Sequence, residues 1–437
     1  MSDPAPTSSS ITIYHHSPVQ PSSLPSLLKP SLPAGINLYR RLQCPLRTAS
    51  EFVLATFPPN TTTLLPRVFT LAYCDRSRRP EGQVFLFSSL ELDRVWHDET
   101  SADHLKRELV EQEIRTADEQ LAVLQLRAVL QYIKELPYPL AQDADGYEER
   151  RAAGLAARER AEKVGEEDPV LVELRKSRGV ERLSEEERRE SRFILLGAIH
   201  ESVAWIVREE FGLVPQEEWG VDGVFAAEYR CWYFDIDEVA RRVEVAESRD
   251  EKESSAEKTV VMEQGGSGLP ATPPQYLGTK GLLDGLYWSA MQERDLSTVR
   301  ARTHIPRREQ TMRLLPSICI RRLPTFVHHK PSAHVSHASA EGEPIGPDDP
   351  IAWAFLGVDG SLSSLHVETA FRGLGLAKAV TAKLFTEKMD AYGMSEGERW
   401  AHSEVLEDNE ASVRVMKALG GRRGWEMWWM RVDLDRL

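Results

Sequence analysis

The stretch His366–Leu384, HVETAFRGLGLAKAVTAKL, decides how this chain is read. Before it, SLSSLHV over Ser361–Val367 alternates in polarity as a strand does. Arg372-Gly373-Leu374-Gly375-Leu376-Ala377 then makes a turn, and Leu376, Ala379, Val380, Lys383 and Leu384 follow at helical spacing. The small residues at 373, 375 and 377 let the backbone turn sharply and let a ligand lie against it. The first amides of a helix have no partner within it and point outward as donors. With the helix dipole behind them they suit a pyrophosphate. Taken alone, the turn fits equally a tight strand-to-helix connection that binds nothing. A dinucleotide-binding fold needs a third small residue further on and an acidic ribose contact ending a second strand. Here the candidate, Asp390, follows the helix directly. No Gly-Lys-Ser/Thr follows the glycines, so a P-loop is excluded.

Working outward, 437 residues are enough for two or three domains. A hydrophobic content of 41% and a charged content of 28% suit a soluble globular chain with some unstructured segments. The net charge of −14 argues against a general nucleic-acid or membrane-surface role. It leaves room for a local basic patch at Arg372. Cys44, Cys74, Cys231 and Cys319 are widely spaced, so neither a zinc site nor a disulfide framework is expected. The start, MSDPAPTSSS, lacks a signal-peptide pattern, and no apolar run approaches the ~20 residues of a membrane span. A cytosolic protein, present in the nucleus as well or not, is expected, with no nucleic-acid and no membrane partner. Oligomeric state is not legible.

Residues 1–11 form a Ser/Pro tail, expected to be disordered. An N-terminal α+β lobe is expected over 12–244. In it, RVFTLAY (Arg67–Tyr73) and QVFLFS (Gln83–Ser88) read as strands of a hairpin around CDRSRRPEG. Asp103–Leu136 carries a helical period ending before Pro137. Glu and Arg of mixed sign crowd 143–192, a solvated helix or connector. FILLGAIHESVAWIVREEF, Phe193–Phe211, predicts one amphipathic helix ended by Gly212, with His200 inside it as a structural residue. AEYRCWYF, Ala227–Phe234, reads as a strand. Linker chemistry over 245–280, with GGSGLPATPP, marks the boundary to a last domain, 281–437.

That domain predicts a strand at Leu286–Met291 and a helix capped by Asp295 through Arg302. A short helix at Pro306–Leu315 and a strand at Ser317–Arg322 follow. His328–Pro350 is a polar loop. Its His328, His329, His334 and His337 could be taken for metal ligands, but no carboxylate or thiolate stands close to them and no metal is expected. IAWAFLGV (Ile351–Val358) and Ser361–Val367 flank Asp359-Gly360, a hairpin signal. After the opening stretch come a strand at Trp400–Val405, a helix capped by Asp408 or Asn409 and ended by Gly420-Gly421, and a strand at Trp425–Leu434. The order is β-α-α-β-β-β-α-β-α-β.

That order, with that turn, resembles the GNAT superfamily of N-acyltransferases. It looks most like the glycine N-acyltransferase-like branch, which sets a degenerate GNAT-like lobe before the active one. Arg372, Gly375 and Ala377 match the family's Arg/Gln-x-x-Gly-x-Gly/Ala motif, and Leu365-His366-Val367 matches the strand leading into it. Val405, Asn409 and Ser412, followed by Gly420-Gly421, match a second motif. The resemblance covers 281–437 by motif and 12–244 by architecture. It implies a GNAT-like mixed sheet flanked by helices, an α+β fold, in the last domain. It also implies that the amides of Gly373, Leu374, Gly375, Leu376 and Ala377 hold the pyrophosphate of an acyl-coenzyme A, acetyl-CoA first. Arg372 would add positive charge there. The main chain around Val367 would pair with the pantetheine arm and polarise the thioester. Asn409 and Ser412 would lie beside that arm, or serve only to cap their helix.

Acyl transfer to an amine needs a deprotonated amine, a stabilised oxyanion and a proton for the thiolate. Two His-x-Glu pairs, His366/Glu368 and His402/Glu404, sit on successive strands, and residues two apart share a strand face. Glu368 or Glu404, directly or through a water, is the expected base. Many family members carry a tyrosine acid where this chain has Met416, which cannot give a proton. Tyr392 is a distant substitute. Two further readings stand beside the enzyme: a catalytically inactive acyl-CoA-binding protein, and a scaffold whose 143–192 segment recruits a partner.

Overall fold

A computed structural model describes residues 11–16, 23–59, 61, 65–79, 81–92, 117–140, 185–211, 226–245, 282, 285–303, 308–323, 348–393 and 398–437, with single positions at 149, 152 and 156. Residues 1–10 of the expected 1–11 tail, the 245–280 linker after Val245 and the histidine loop at 328–337 lie outside the described residues. So does most of the charged 143–192 segment. The chain divides into two compact units, Met1–Cys231 with Gly424–Leu437, and Trp232–Arg423.

In the first unit, β1 (Tyr14–His16), β2 (Glu51–Ala55), β3 (Thr70–Asp75), β4 (Val84–Ser88) and β5 (Phe193–His200) lie side by side in that order. The expected hairpin is β3–β4, antiparallel from Thr70–Ser88 to Cys74–Val84. The helix expected from Asp103 is described from Ala117 to Glu135. It covers one face with Val123, Leu126, Val129, Leu130 and Ile133, packed with Ile194, Leu196 and Ile199 of β5 in one core.

Phe193–Phe211 is not one helix. It is β5 followed by a helix, Glu201–Phe211. All eight residues of β5 are buried, because the strand runs parallel to β4 on one side and antiparallel to the last strand on the other. A strand buried on both faces is a continuous apolar run, and periodicity alone does not separate that from a buried helix. His200 therefore ends a strand. Its ring stacks on Trp425, and its Nδ1 accepts from the Ser202 amide at 3.0 Å.

The final strand, β12 (Arg422–Asp433), pairs with β5 from Met427–His200 to Asp433–Phe193. This pairing places Gly424–Leu437 with the first unit, whereas a boundary drawn from composition keeps it with 281–437. The division also falls within β6 (Ala226–Asp235), earlier than the 245–280 segment.

In the second unit, β7 (Leu286–Ser289), β8 (Ser317–Arg322), β9 (Pro350–Leu356), β10 (Ser361–Val367) and β11 (Trp400–Val405) are neighbours in sequence order. β7 to β10 are antiparallel, and β10 to β11 is parallel. A parallel pair needs a crossover. Here it is the helix Leu376–Lys388, which packs on β8, β9 and β10 through Leu376, Ala379, Val380, Leu384 and Phe385. Lys383 shares the spacing but not the burial role: its ammonium pairs with Glu387 and lies 5.1 Å from the Trp288 ring centre. Both units are mixed α+β layers, as the element order predicts. No described helix is long and apolar enough to cross a membrane. The four cysteines are buried and form no disulfide.

Asp295 differs from its expected role. Its side chain makes no cap to the helix Leu296–Ala301. It accepts instead from the Gln292 amide at 2.6 Å and from Arg321 Nη2 at 2.5 Å. The Gln292 contact is a capping box that closes the 3-10 turn Glu293–Asp295 just before that helix, and the buried Arg321 guanidinium shares the same carboxylate.

The strand assignment of β5 predicts that Leu196→Ala lowers stability by about 2–5 kcal/mol, the usual cost of emptying a fully buried leucine site. Urea unfolding followed by circular dichroism measures it.

Candidate functional site

The site is built where β10 and β11 part. Their registered pairs are Ser361–His402 and Leu362–Ser403. Beyond these, Ser363–Val367 and Glu404–Val405 carry no pairing with each other. The parting coincides with an irregularity in β10 on its other side. The register with β9 shifts between Ser363 and His366, and Ser364 sits at φ 51. An extra residue of this kind bends its strand and takes it out of the neighbouring ladder. Facing backbone edges are left open to an extended amide-containing ligand.

Both helices that follow these parallel strands begin at the same edge. After β10, Thr369–Phe371 forms a short 3-10 turn, and Arg372 Nε donates to the Val367 carbonyl at 3.0 Å. Gly373 at φ 84 and Gly375 at φ 79 are both left-handed, the conformation that favours glycine. Gly375 is the N-cap of Leu376–Lys388 and supplies no side-chain cap. The amides of Gly373, Leu374 and Gly375 meet no acceptor among the described residues. The first intrahelical bond at this end is Ala379 N to Gly375 O, 3.1 Å, which leaves the amides of the first turn facing outward. A Cβ on Gly373 would meet nothing within 4 Å, so space lies in front of the loop. The turn has the form of an anion cradle, with Arg372 exposed beside it.

After β11, Asn409 caps the helix Glu410–Ala418 by accepting from the Ser412 amide at 3.1 Å. The cap uses its carbonyl oxygen and leaves its amide nitrogen as the donor. Ser412 is half-buried on the first turn.

The two His-x-Glu pairs form two separate clusters. At the loop end of β10, Glu368 is 6% exposed and accepts from Arg302 Nε at 3.2 Å. His366 Nε2 lies 3.7 Å from its other oxygen, and the imidazole stacks on Trp353 with ring centres 4.5 Å apart. Burial pushes the His366 pKa below its ordinary 6.5. Glu368 pulls it up and Arg372 pushes it down, so the net shift is downward and the ring is neutral at pH 7. At the other end, His402 is wholly buried and faces Asp359, with Glu404 half-buried beside it. Glu404 stands one residue past Ser403, level with Ser363, and Glu368 lies five residues further, one past the end of β10. That is roughly 15 Å of strand. One amine meets one of these carboxylates, not both.

Neither the position where a family tyrosine would stand nor its distant substitute offers a proton donor. Met416 is 0% exposed, with its side chain in the core. Tyr392 is 1% exposed and donates its hydroxyl to the Gly357 carbonyl, at the turn end of β10 and away from the loop. Arg302, Trp353 and Asp359 carry no site role in the sequence reading, where Arg302 is only a helix end and Asp359 only a turn residue. Arg302 and Asp359 lie outside the motifs, and Trp353 looks like any apolar strand residue.

Residues 10–230, half of the chain, match the family described as the acyl-CoA N-acyltransferase verG N-terminal domain. No curated protein matches the sequence. A crystal structure of a Drosophila protein from a structural genomics consortium aligns over 96% of this chain and 98% of that chain, at 12% identity and a TM-score of 0.42. The chain belongs to the verG-type acyl-CoA N-acyltransferase family, which supports an acyl-CoA-dependent acyltransferase with acyl-CoA as co-substrate.

Replacing Arg302 by Met leaves the Glu368 carboxylate buried without its cation. The expected cost is on the order of 2 kcal/mol at pH 7, reduced by the partial exposure of Arg302. The double variant R302M/E368Q recovers most of it, because the charge that needed Arg302 is gone. Paired thermal melts test this.

Proposed function

We propose that this verG-type family member is an N-acyltransferase of GNAT architecture, near the glycine N-acyltransferase-like branch, and that its working site is the 361–412 region of the second unit. The observation that carries the reading is the Gly373–Ala377 cradle at the open end of parted parallel strands. A pyrophosphate seats on the outward amides of 373–377, with Arg372 adding charge. The pantetheine amides run back between β10 and β11 toward Val367, where the two strands no longer pair with each other. Asn409 and Ser412 line the arm from the other helix. Acetyl-CoA is the donor we favour, and an amine the acceptor.

The amine attacks the thioester carbonyl directly: the C–N bond forms, the carbonyl becomes a tetrahedral oxyanion, and the C–S bond then breaks to release the thiolate. Glu368 with His366 takes the amine proton. The neutral imidazole is the acceptor, and the carboxylate 3.7 Å away stabilises the charged ring. Glu404 is the alternative base. With Met416 in the core and Tyr392 committed to Gly357, the thiolate takes its proton from water or from the imidazolium. The buried methionine is also what favours a second reading, an acyl-CoA-binding protein without turnover. Free-thiol release from acetyl-CoA against a panel of amines separates the two.

Gly373→Asp and Gly373→Asn both tolerate the left-handed backbone, but only the aspartate sets a negative charge in the cradle. Calorimetric titration with coenzyme A is expected to show Asp binding about tenfold or more weaker than Asn. Equal affinities would remove the pyrophosphate from this loop.

For turnover, kcat/KM is expected to hold above the ordinary histidine pKa and to fall as pH drops through the lowered value of His366, because the protonated ring accepts no proton. Glu368→Gln is expected to reduce kcat/KM by about 100-fold and to shift that acid limb. A drop seen in Glu404→Gln with Glu368→Gln unaffected moves the base to β11.

A further inference from the structure

At the closed end of the strand pair, Asp359 in the β9–β10 turn and His402 and Glu404 on β11 bring one ligand atom each to within 4.8 Å of one another. His402 is 0% exposed, and neither of its ring nitrogens has a hydrogen-bond partner among the described residues. A buried imidazole without a partner is costly. Its Nε2 points at Asp359 Oδ2, 3.7 Å away. Asp359 is itself held in place: Oδ1 accepts from the Ser361 amide at 3.2 Å and the Ser361 hydroxyl at 2.6 Å, which turns Oδ2 toward the histidine. An outer shell of this kind orients a ligating carboxylate. The backbone is cut to fit it, since a Cβ on Gly357 would come within 2.7 Å of both Asp359 Oδ1 and Ser361 Oγ. Glu404 follows His402 by two residues and so projects from the same strand face.

We propose that Asp359, His402 and Glu404 bind a divalent transition-metal ion of the Zn2+ or Mn2+ type. One imidazole nitrogen and two carboxylate oxygens form a donor set such ions accept, with further positions left for water. Ligand atoms at about 2 Å from one ion stand roughly 3–4 Å apart. The His402–Asp359 distance is already in that range, and Glu404 needs a small side-chain swing. The ion ties the turn that starts β10 to β11 beside the Ser361–His402 pair, which is the vertex from which the two strands part. Its role is to hold that vertex while the other end opens. The inference stands independently of the acyl-transfer reading, and its test has its own readout.

The full chain is stripped with chelator and titrated with Zn2+ by calorimetry and with Co2+ by visible absorption, and its metal content is measured after dialysis. The expected result is one equivalent of metal, Co2+ bands of an imidazole–carboxylate site, and a melting temperature that rises with metal. Asp359→Asn and Glu404→Gln, each checked for folding by circular dichroism, are expected to weaken uptake at least about tenfold. No stoichiometric uptake by wild type would overturn the proposal. So would uptake retained in Glu404→Gln and Asp359→Asn but lost when His328, His329, His334 and His337 are replaced together.

Discussion

The second unit depends on one constraint: two parallel strands that pair for only two residues. Parallel pairing at Ser361–His402 and Leu362–Ser403 aligns β10 and β11, and the irregularity around Ser364 then takes β10 away. Two consequences follow from that local event. Because the strands are parallel, the helices after them start at the same edge, and their unsatisfied amides gather there. Because the strands part, the edges leading to those amides are open. An anion cradle and an extended slot are thus products of the same bend, and neither requires a catalytic side chain.

The polar side chains are arranged around this bend at two levels. Beyond the open end, Glu368 is fixed by Arg302 and accompanied by a neutral His366 stacked on Trp353. At the closed end, Asp359 and His402 share a buried space with Glu404 next to it. Both clusters place carboxylates where water is scarce, and each carries a neighbour that offsets the cost. The proposed division of labour follows from position: the open end is where an acyl donor's charged group would seat, and the closed end is where the strands must be held together.

The elements around the site were legible because their signals are local. Ser361–Val367 and Trp400–Val405 run as strands over the expected residues, Asn409 caps its helix, and the glycines of the turn take the left-handed conformations that their position demanded. Reading failed where two neighbours compete for one residue. Phe193–His200 carries no alternation because both its faces are covered, so its strand character lies in β4 and β12 and not in itself. Asp295 looks like the cap of Leu296–Ala301, but its carboxylate closes the 3-10 turn before that helix and accepts from Arg321 of β8. The final strand belongs by sequence to the last domain and by pairing to β5.

What the sequence determined by itself was the β-α-α-β-β-β-α-β-α-β order and the position of an amide-lined turn within it, since turn chemistry, capping and strand alternation act over a few residues. It also set the two His-x-Glu pairs on their strand faces, since residues two apart on a strand project together. Only the tertiary structure decided that those pairs stand roughly 15 Å apart along the strand. It alone supplied Arg302 to Glu368 and Asp359 to His402, and it committed the buried Tyr392 hydroxyl to the Gly357 carbonyl. The physical reason is range. Charge pairing and burial are set by whichever groups the fold brings together across 66 residues of chain, as for Arg302 and Glu368, or 43, as for Asp359 and His402, and no spacing rule in a single sequence reaches that far.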